Sequence, residues 1–400
     1  PLVAETARIL LLLGEFVRVE ALANTMFSAA RKTDHPTAMI RSQIFLGYIY
    51  FNLFEFENSR QAYLNGMAML GDAPEDIVRR VVFLSNLSIA AVETEDLDQA
   101  VTYGRRALRL LNTIKPAVFN RAAATAGTPP YAVQRSTVMS NLGYLYQEKG
   151  VRAQAPKDRE RLLVRAARYN IRSLHGPIPM TERIRSEANL GSTMMHRGRV
   201  VEAYTLFKRL IRRCGSDPAL DRLKGWIYGF MSECAMRLNA PDIAIRHCHT
   251  SLRTAIRSAD PFSESEILRM ALEPLKTIYS DLFRGEHSGR IFMEQGMPVI
   301  RELLDFLEDK DWYTARDHSR GVARIALALH DVLADTLPGH STDHDRNTLE
   351  IASLMHDIGK LWIPWSILNR LTPLWPRDFD VIKRHPGRGR RFMEELGFHD

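Results

Sequence analysis

Five residues in the last quarter of the chain could do chemistry together: His318, His356, Asp357, Lys360 and His385. They lie in three short stretches, "TARDHSRGVARIALAL", "SLMHDIGKLWIP" and "DFDVIKRHPGRG". Imidazole and carboxylate are ligands for iron, manganese or zinc. In a helical domain such ligands can converge from separate helices. The apolar run around His356 and Asp357 reads as a buried helix. Adjacent side chains on a helix diverge by about 100°, so the Asp357 carboxylate can bridge two cations while His356 binds one. Cations so placed lower the pKa of a shared water. Lys360, one turn further on, can neutralise a phosphate oxygen or a developing charge.

The order "HSRGV", "MHDIGKLWIPWSIL", "IKRHPGRG" over residues 312–398 resembles the HD superfamily of metal-dependent phosphohydrolases, and specifically its HD-GYP branch. The resemblance implies a phosphodiesterase that linearises cyclic di-GMP with two or three divalent metals, iron or manganese. It implies His318, His356, Asp357 and His385 as metal ligands, Asp357 bridging, and Lys360 at the scissile phosphate. Three-metal members carry a Glu four residues before the first histidine. Thr314 stands there, which points to a two-metal site. The family's second half falls beyond Asp400, so this span is expected to hold an incomplete ligand shell and to be inactive alone. The opening Pro1 likewise reads as a fragment or processed product. Eight Lys/Arg against two Asp/Glu between Lys360 and Arg391 suit an anionic substrate, with Arg388 a candidate contact.

Other histidines read differently. His330, His340 and His344 are expected to be solvated, and His399-Asp400 falls outside the motif. "RHCHTS" (246–251) clusters His247, Cys248 and His249, but neighbours on a helix point apart.

The residues that must position this site are helical. The first two thirds repeat one phrase: an apolar helix, a short turn, then a helix with a small residue near its middle. Leu46-Gly47, Leu142-Gly143 and Leu190-Gly191 hold the same place in the first helices, and Ala62, Ala100, Ala203 and Ala244 in the second. Recurrence at roughly forty residues marks a helical solenoid. The pattern resembles tetratricopeptide repeats, which implies a protein or peptide partner on a concave face. The stretch 113–134, rich in Pro, Gly and Ala, reads as a long loop interrupting the array. The fold expected is all-α: a repeat domain over 1–270, a helical connector over 271–311, and the first part of a helical HD bundle over 312–400.

Composition sets outer limits. The chain has 400 residues, 45% hydrophobic and 25% charged, an ordinary globular balance. The longest aliphatic run, "ILLLL" (9–13), is far too short to cross a bilayer. No signal peptide is visible. Three cysteines form no disulfide framework and suit a reducing cytoplasm. The net charge of +7 is concentrated in 151–213, with fifteen Lys/Arg against five Asp/Glu. No recognition-helix pattern accompanies that block, so it reads as a solvated surface rather than a nucleic-acid site. A homodimer is compatible with the sequence.

Two other functions stay open at this point. The repeats could be the working part of a binding protein, with a degenerate or ligand-sensing HD region. A general HD phosphohydrolase acting on mononucleotides is the third reading, against which the extended "HDIGK…IP…IL" string speaks.

Overall fold

The structure, a computed structural model, describes residues 6–7, 9–10, 15–217, 220–257, 289–313, 317–336 and 343–396. All regular elements among them are helical. In chain order these are α1 (Phe16–Lys32), α2 (Pro36–Asn52), α3 (Phe56–Ala68), α4 (Pro74–Glu93), α5 (Leu97–Thr113), α6 (Pro116–Ala126) and α7 (Tyr131–Val151). Then come α8 (Pro156–Ser173), α9 (Met180–His196), α10 (Val200–Cys214), α11 (Asp221–Arg237), α12 (Pro241–Arg257) and α13 (Gly289–Lys310). The C-terminal part holds α14 (His318–Thr336), α15 (Asp343–Met355), a 3₁₀ turn (Ile358–Trp362), α16 (Trp365–Leu368), α17 (Pro376–Ile382) and α18 (His385–Leu396). No described helix is long and apolar enough to cross a membrane.

Helices α2/α3, α4/α5, α7/α8, α9/α10 and α11/α12 fold on each other as hairpins, and α4, α7, α9 and α11 also pack along one row. This is the stacked-pair array that the recurring small residues pointed to. Gly47 faces the Tyr63 ring and Gly191 the Phe207 ring so closely that a Cβ would lie 2.3 Å and 2.6 Å from ring carbons. Glycine there lets the two helices of a pair meet. Ala100, Ala203 and Ala244 are fully buried on the opposing helices. Four of the five pair turns share a further signature, one left-handed residue each: Phe54, Glu95, Gly198 and Asn239; the α7/α8 turn lacks it. Only one of the four is glycine, so the turn geometry recurs where the residue type does not.

Stretch 113–134 is not a loop. It contains α6, whose Phe119, Ala122 and Ala123 are buried against the neighbouring array. Pro116 sits in the first helical turn, where its missing N–H costs nothing. Gly127 ends the helix in the left-handed conformation, φ 69°. The Pro and Gly that signalled a loop bracket an Ala-rich helix instead.

The connector reading covers 271–288, outside the described residues, and α13. Met297, Ile300, Leu303, Leu304 and Leu307 of α13 share a core with Ile351, Leu354, Ile358, Leu361 and Phe392. Its other flank meets the last repeat, where His249 packs edge-on against Phe306 with ring centroids 5.1 Å apart.

The first repeat helices reach the C-terminal part too. Phe16, Val17, Val19, Ile49 and Leu53 form one buried cluster with Ile363, Ile367, Leu368 and Val381. Around it run ion pairs from Arg370 to Glu15 (2.8 Å), Arg377 to Glu20 (3.1 Å) and Glu55 (2.6 Å), and Arg384 to Glu55 (2.7 Å). Both ends of the array therefore bear on the C-terminal helices.

Candidate metal centre

The His356-Asp357 pair is not on a helix. Helix α15 ends at Met355, and the pair lies in the turn before the 3₁₀ segment, with Asp357 at φ −99°, ψ 2°. Gly359 allows a close backbone approach just after the pair. A Cβ there would fall 1.8 Å from the His385 carbonyl oxygen and 2.7 Å from the Gly389 nitrogen. The 3₁₀ turn thus lies directly on the backbone of α18, and His385 is carried to Asp357.

Asp357 is the hub, 6% exposed. Its Oδ2 lies 3.3 Å from His356 Nε2 and 3.9 Å from His318 Nε2. Its Oδ1 lies 3.3 Å from His385 Nε2. The two carboxylate oxygens thus face different imidazoles. His318, His356 and Asp357 each offer a ligand atom within 4.8 Å of the others. His318 opens the chain of α14 and its side chain is 41% exposed, so the site is open on that side.

The imidazoles are oriented from behind. His356 Nδ1 is 2.8 Å from the Ser353 carbonyl and His385 Nδ1 is 2.8 Å from the Ile382 carbonyl. A ring whose Nδ1–H donates to a carbonyl keeps a free lone pair on Nε2 and is held at a fixed angle. The donor set of three imidazoles and one carboxylate therefore fits a divalent transition metal.

Lys360 is also at the hub. Its Nζ is 2.8 Å from Asp357 Oδ2 and 2.9 Å from Asp311 Oδ2. Burial pushes the Asp357 carboxyl up, but hydrogen bonds from His356 and Lys360 and the Lys360 charge outweigh it and hold the group below the usual carboxylate range. Burial likewise pulls Lys360 down, and the two carboxylates more than reverse that. For His356, the hydrogen bond to Asp357 is the main cause of a raised pKa.

Asp311 was not legible as part of the site. It is 1% exposed at the end of α13, accepts the Tyr313 N–H at 3.1 Å and faces Lys360. Its neighbour Lys310, equally buried, donates to the Leu361 carbonyl. An acid directly after a helix and before two aromatics carries no periodic signal.

Arg388 is engaged within the fold. It donates to the Trp362 carbonyl (2.6 Å) and the Leu53 carbonyl (3.0 Å), and its guanidinium stacks 5.1 Å from the Phe54 ring centroid. Burial, then the Arg384 charge, pulls it down to about 10. Its partners come from both sides of the seam: the 3₁₀ turn gives the Trp362 carbonyl, and the first repeat the Leu53 carbonyl and the Phe54 ring.

The remaining histidines disperse. His247 Nε2 meets the Tyr204 hydroxyl at 2.9 Å, while Cys248 is buried and His249 packs on Phe306. His330 lies 3.4 Å from the adjacent Asp331. Thr314, His340 and His399-Asp400 lie outside the described residues. All three cysteines are buried, and none of them forms a disulfide.

Residues 316–400 match a family model described as the HD domain. This is the superfamily to which the motif order pointed. No curated protein matches the chain. Among solved structures the chain is similar to the apo form of RapI, with 10% identity and TM-score 0.38, covering 88% of this chain and 97% of that one. It is also similar to the apo form of the quorum sensor NprR from B. thuringiensis, with 9% identity and TM-score 0.36, covering 99% and 98%. Likenesses at this distance have no bearing on function.

Proposed function

We propose that the chain carries the metal-binding part of a phosphodiesterase of HD-GYP type, acting on cyclic di-GMP and governed by a protein or peptide held on the helical repeats. The observation that carries this reading is Asp357, whose two oxygens face separate imidazoles fixed through Nδ1. His318 and His356 would hold a cation on the Oδ2 side and His385 on the Oδ1 side, with iron or manganese the metals that the resemblance suggests. Divalent cations there supply Lewis acidity at a scissile phosphate. Lys360 presents a fixed positive charge beside them. The cyclic dinucleotide rests on the motif order alone.

One feature favours the alternative of a binding protein with a degenerate HD region. The Lys360 ammonium sits on the same Asp357 oxygen that faces His318 and His356, so the carboxylate is already compensated by an internal cation. Metal uptake separates the two. The hydrolase reading expects the purified chain to bind Mn²⁺ or Fe²⁺ stoichiometrically and to lose it in Asp357→Ala. It also expects cyclic di-GMP hydrolysis once the ligand shell is complete. Absence of metal uptake by the native chain would leave the binding reading standing.

A further inference from the structure

The seam holds a carboxylate whose geometry concerns the site rather than the packing around it. Glu55 precedes α3, and its side chain is 7% exposed. One oxygen, Oε2, is held by Asn58 Nδ2 at 2.8 Å. The other, Oε1, accepts from two guanidinium groups, Arg377 at 2.6 Å and Arg384 at 2.7 Å. Arg377 lies in the first turn of α17, and Arg384 directly precedes His385. A single fixed oxygen therefore grips both ends of the segment that delivers His385 to Asp357.

We propose that Glu55, a residue of the repeat array, is a positioning residue for His385, acting through Arg384 and Arg377. The inference rests on the metal-centre reading above and extends it by placing one support of the centre on the first repeat. The logic is that of an outer-shell partner. His385 Nε2 stands 3.3 Å from Asp357 Oδ1, and its ring angle is set by Ile382, inside the gripped segment. If Arg384 is released, the turn at 383–385 loses its anchor, and the imidazole loses its aim. Outer-shell partners of metal ligands are worth about 10–100-fold in metal affinity.

Glu20 supplies the control. It lies in the same seam and pairs with Arg377, 3.1 Å away, whereas Glu55 pairs with both Arg377 and Arg384. A carboxylate that merely glues the two parts together should behave like Glu20. A carboxylate that aims His385 should not.

The test uses the whole chain and Mn²⁺ alone, measured by calorimetry. Glu55→Gln should weaken Mn²⁺ binding about tenfold, while Glu20→Gln leaves it unchanged. In a His385→Ala background, Glu55→Gln should have no further effect. Arg384→Met repeats the experiment from the other partner, should Glu55→Gln fail to fold. Equal losses for Glu20→Gln and Glu55→Gln, or the same Glu55 loss without His385, would overturn the proposal. If the native chain takes up no Mn²⁺, the hydrolase reading falls, and amide hydrogen exchange over 383–388 decides the positioning claim in the metal-free chain. Faster exchange in Glu55→Gln than in Glu20→Gln supports it, and equal exchange overturns it.

Discussion

Asp311 Oδ2 lies 2.9 Å from Lys360 Nζ, and both groups are largely shut off from solvent. The same ammonium reaches Asp357 Oδ2 at 2.8 Å. One cation is therefore divided between an acid at the end of α13 and the hub of the metal centre. Removing it takes the shared cation from two buried carboxylates, at a cost of about 3–5 kcal/mol for a broken buried pair. Metal-free Lys360→Ala should melt well below the native chain, and Mn²⁺ should recover part of the loss. Asp357→Ala should bind no metal and gain nothing from Mn²⁺. In a turnover-competent protein, Lys360→Ala should keep its metal and slow hydrolysis roughly a hundred- to thousandfold. Melting curves with and without Mn²⁺, beside metal stoichiometry, check all of this. A Lys360→Ala protein that loses metal as fully as Asp357→Ala would move Lys360 from chemistry to scaffolding.

Gly359→Ala should damage the centre without touching a ligand. The new methyl group would meet the backbone of α18 at His385 and Gly389, where no side chain can swing aside. Overpacking of this kind costs about 1–3 kcal/mol or more. The expected result is a lower melting temperature together with weaker Mn²⁺ binding. Unchanged binding with lowered stability would mean that the His385 position tolerates the shift.

Asn170 tests the array. It is fully buried on α8, donates to Thr193 Oγ1 at 3.1 Å, and Thr193 in turn donates to Gln147 Oε1 at 2.9 Å. Its own Oδ1 points at Gly143, where a Cβ would lie 2.0 Å away. Gly143→Ala alone should be strongly destabilising, although alanine is worth about 1 kcal/mol more than glycine inside a helix. Asn170→Ala alone should cost about 1–3 kcal/mol, because it strands a buried hydrogen-bonding group. The double variant should be more stable than the sum of the singles implies, since the clash is gone. Chemical denaturation of the four proteins reads this directly, and simple additivity would contradict the contact.

Acid should open the seam through Glu55. Burial pushes this carboxyl up, but hydrogen bonds from Asn58 and Arg384 and the charges of Arg377 and Arg384 outweigh it, leaving it below the usual 4.5. A group depressed in the folded state contributes stability above its unfolded pKa and loses it as pH falls through the folded value. The melting-temperature gap between native protein and Glu55→Gln should therefore be constant above 4.5 and close below it. A gap that persists into stronger acid would show that the carboxylate is not what the two arginines need.

The repeats were readable because they depend on small residues recurring at fixed places: Gly47 against Tyr63, Gly191 against Phe207, Ala203 at the centre of its pair. Helix α6 was hidden because Pro116 and Gly127 serve equally as loop signals and as helix brackets. The motif order led to the HD match, yet the apolar run put His356 and Asp357 on a helix, because it masks the turn that precedes the 3₁₀ segment. Asp311 and the Glu55–Arg384 link were out of reach for a different reason. They join residues far apart in sequence through side chains that look like any solvated charge.

The docking of α1 and α2 onto Ile363, Ile367 and Val381 alters how such an array should come apart. An open repeat protein resembles a one-dimensional lattice, whose outermost units have a single neighbour and melt first. Here the α1/α2 unit also has the C-terminal helices as a neighbour. Its loss of structure should be coupled to that of the C-terminal helices rather than precede the rest. The contact that closes the lattice also spans more than 300 positions, as with Arg377 and Glu55, 322 apart. Such a contact cannot form until residues 55 to 377 are all in place, which makes ring closure a late and slow event in folding.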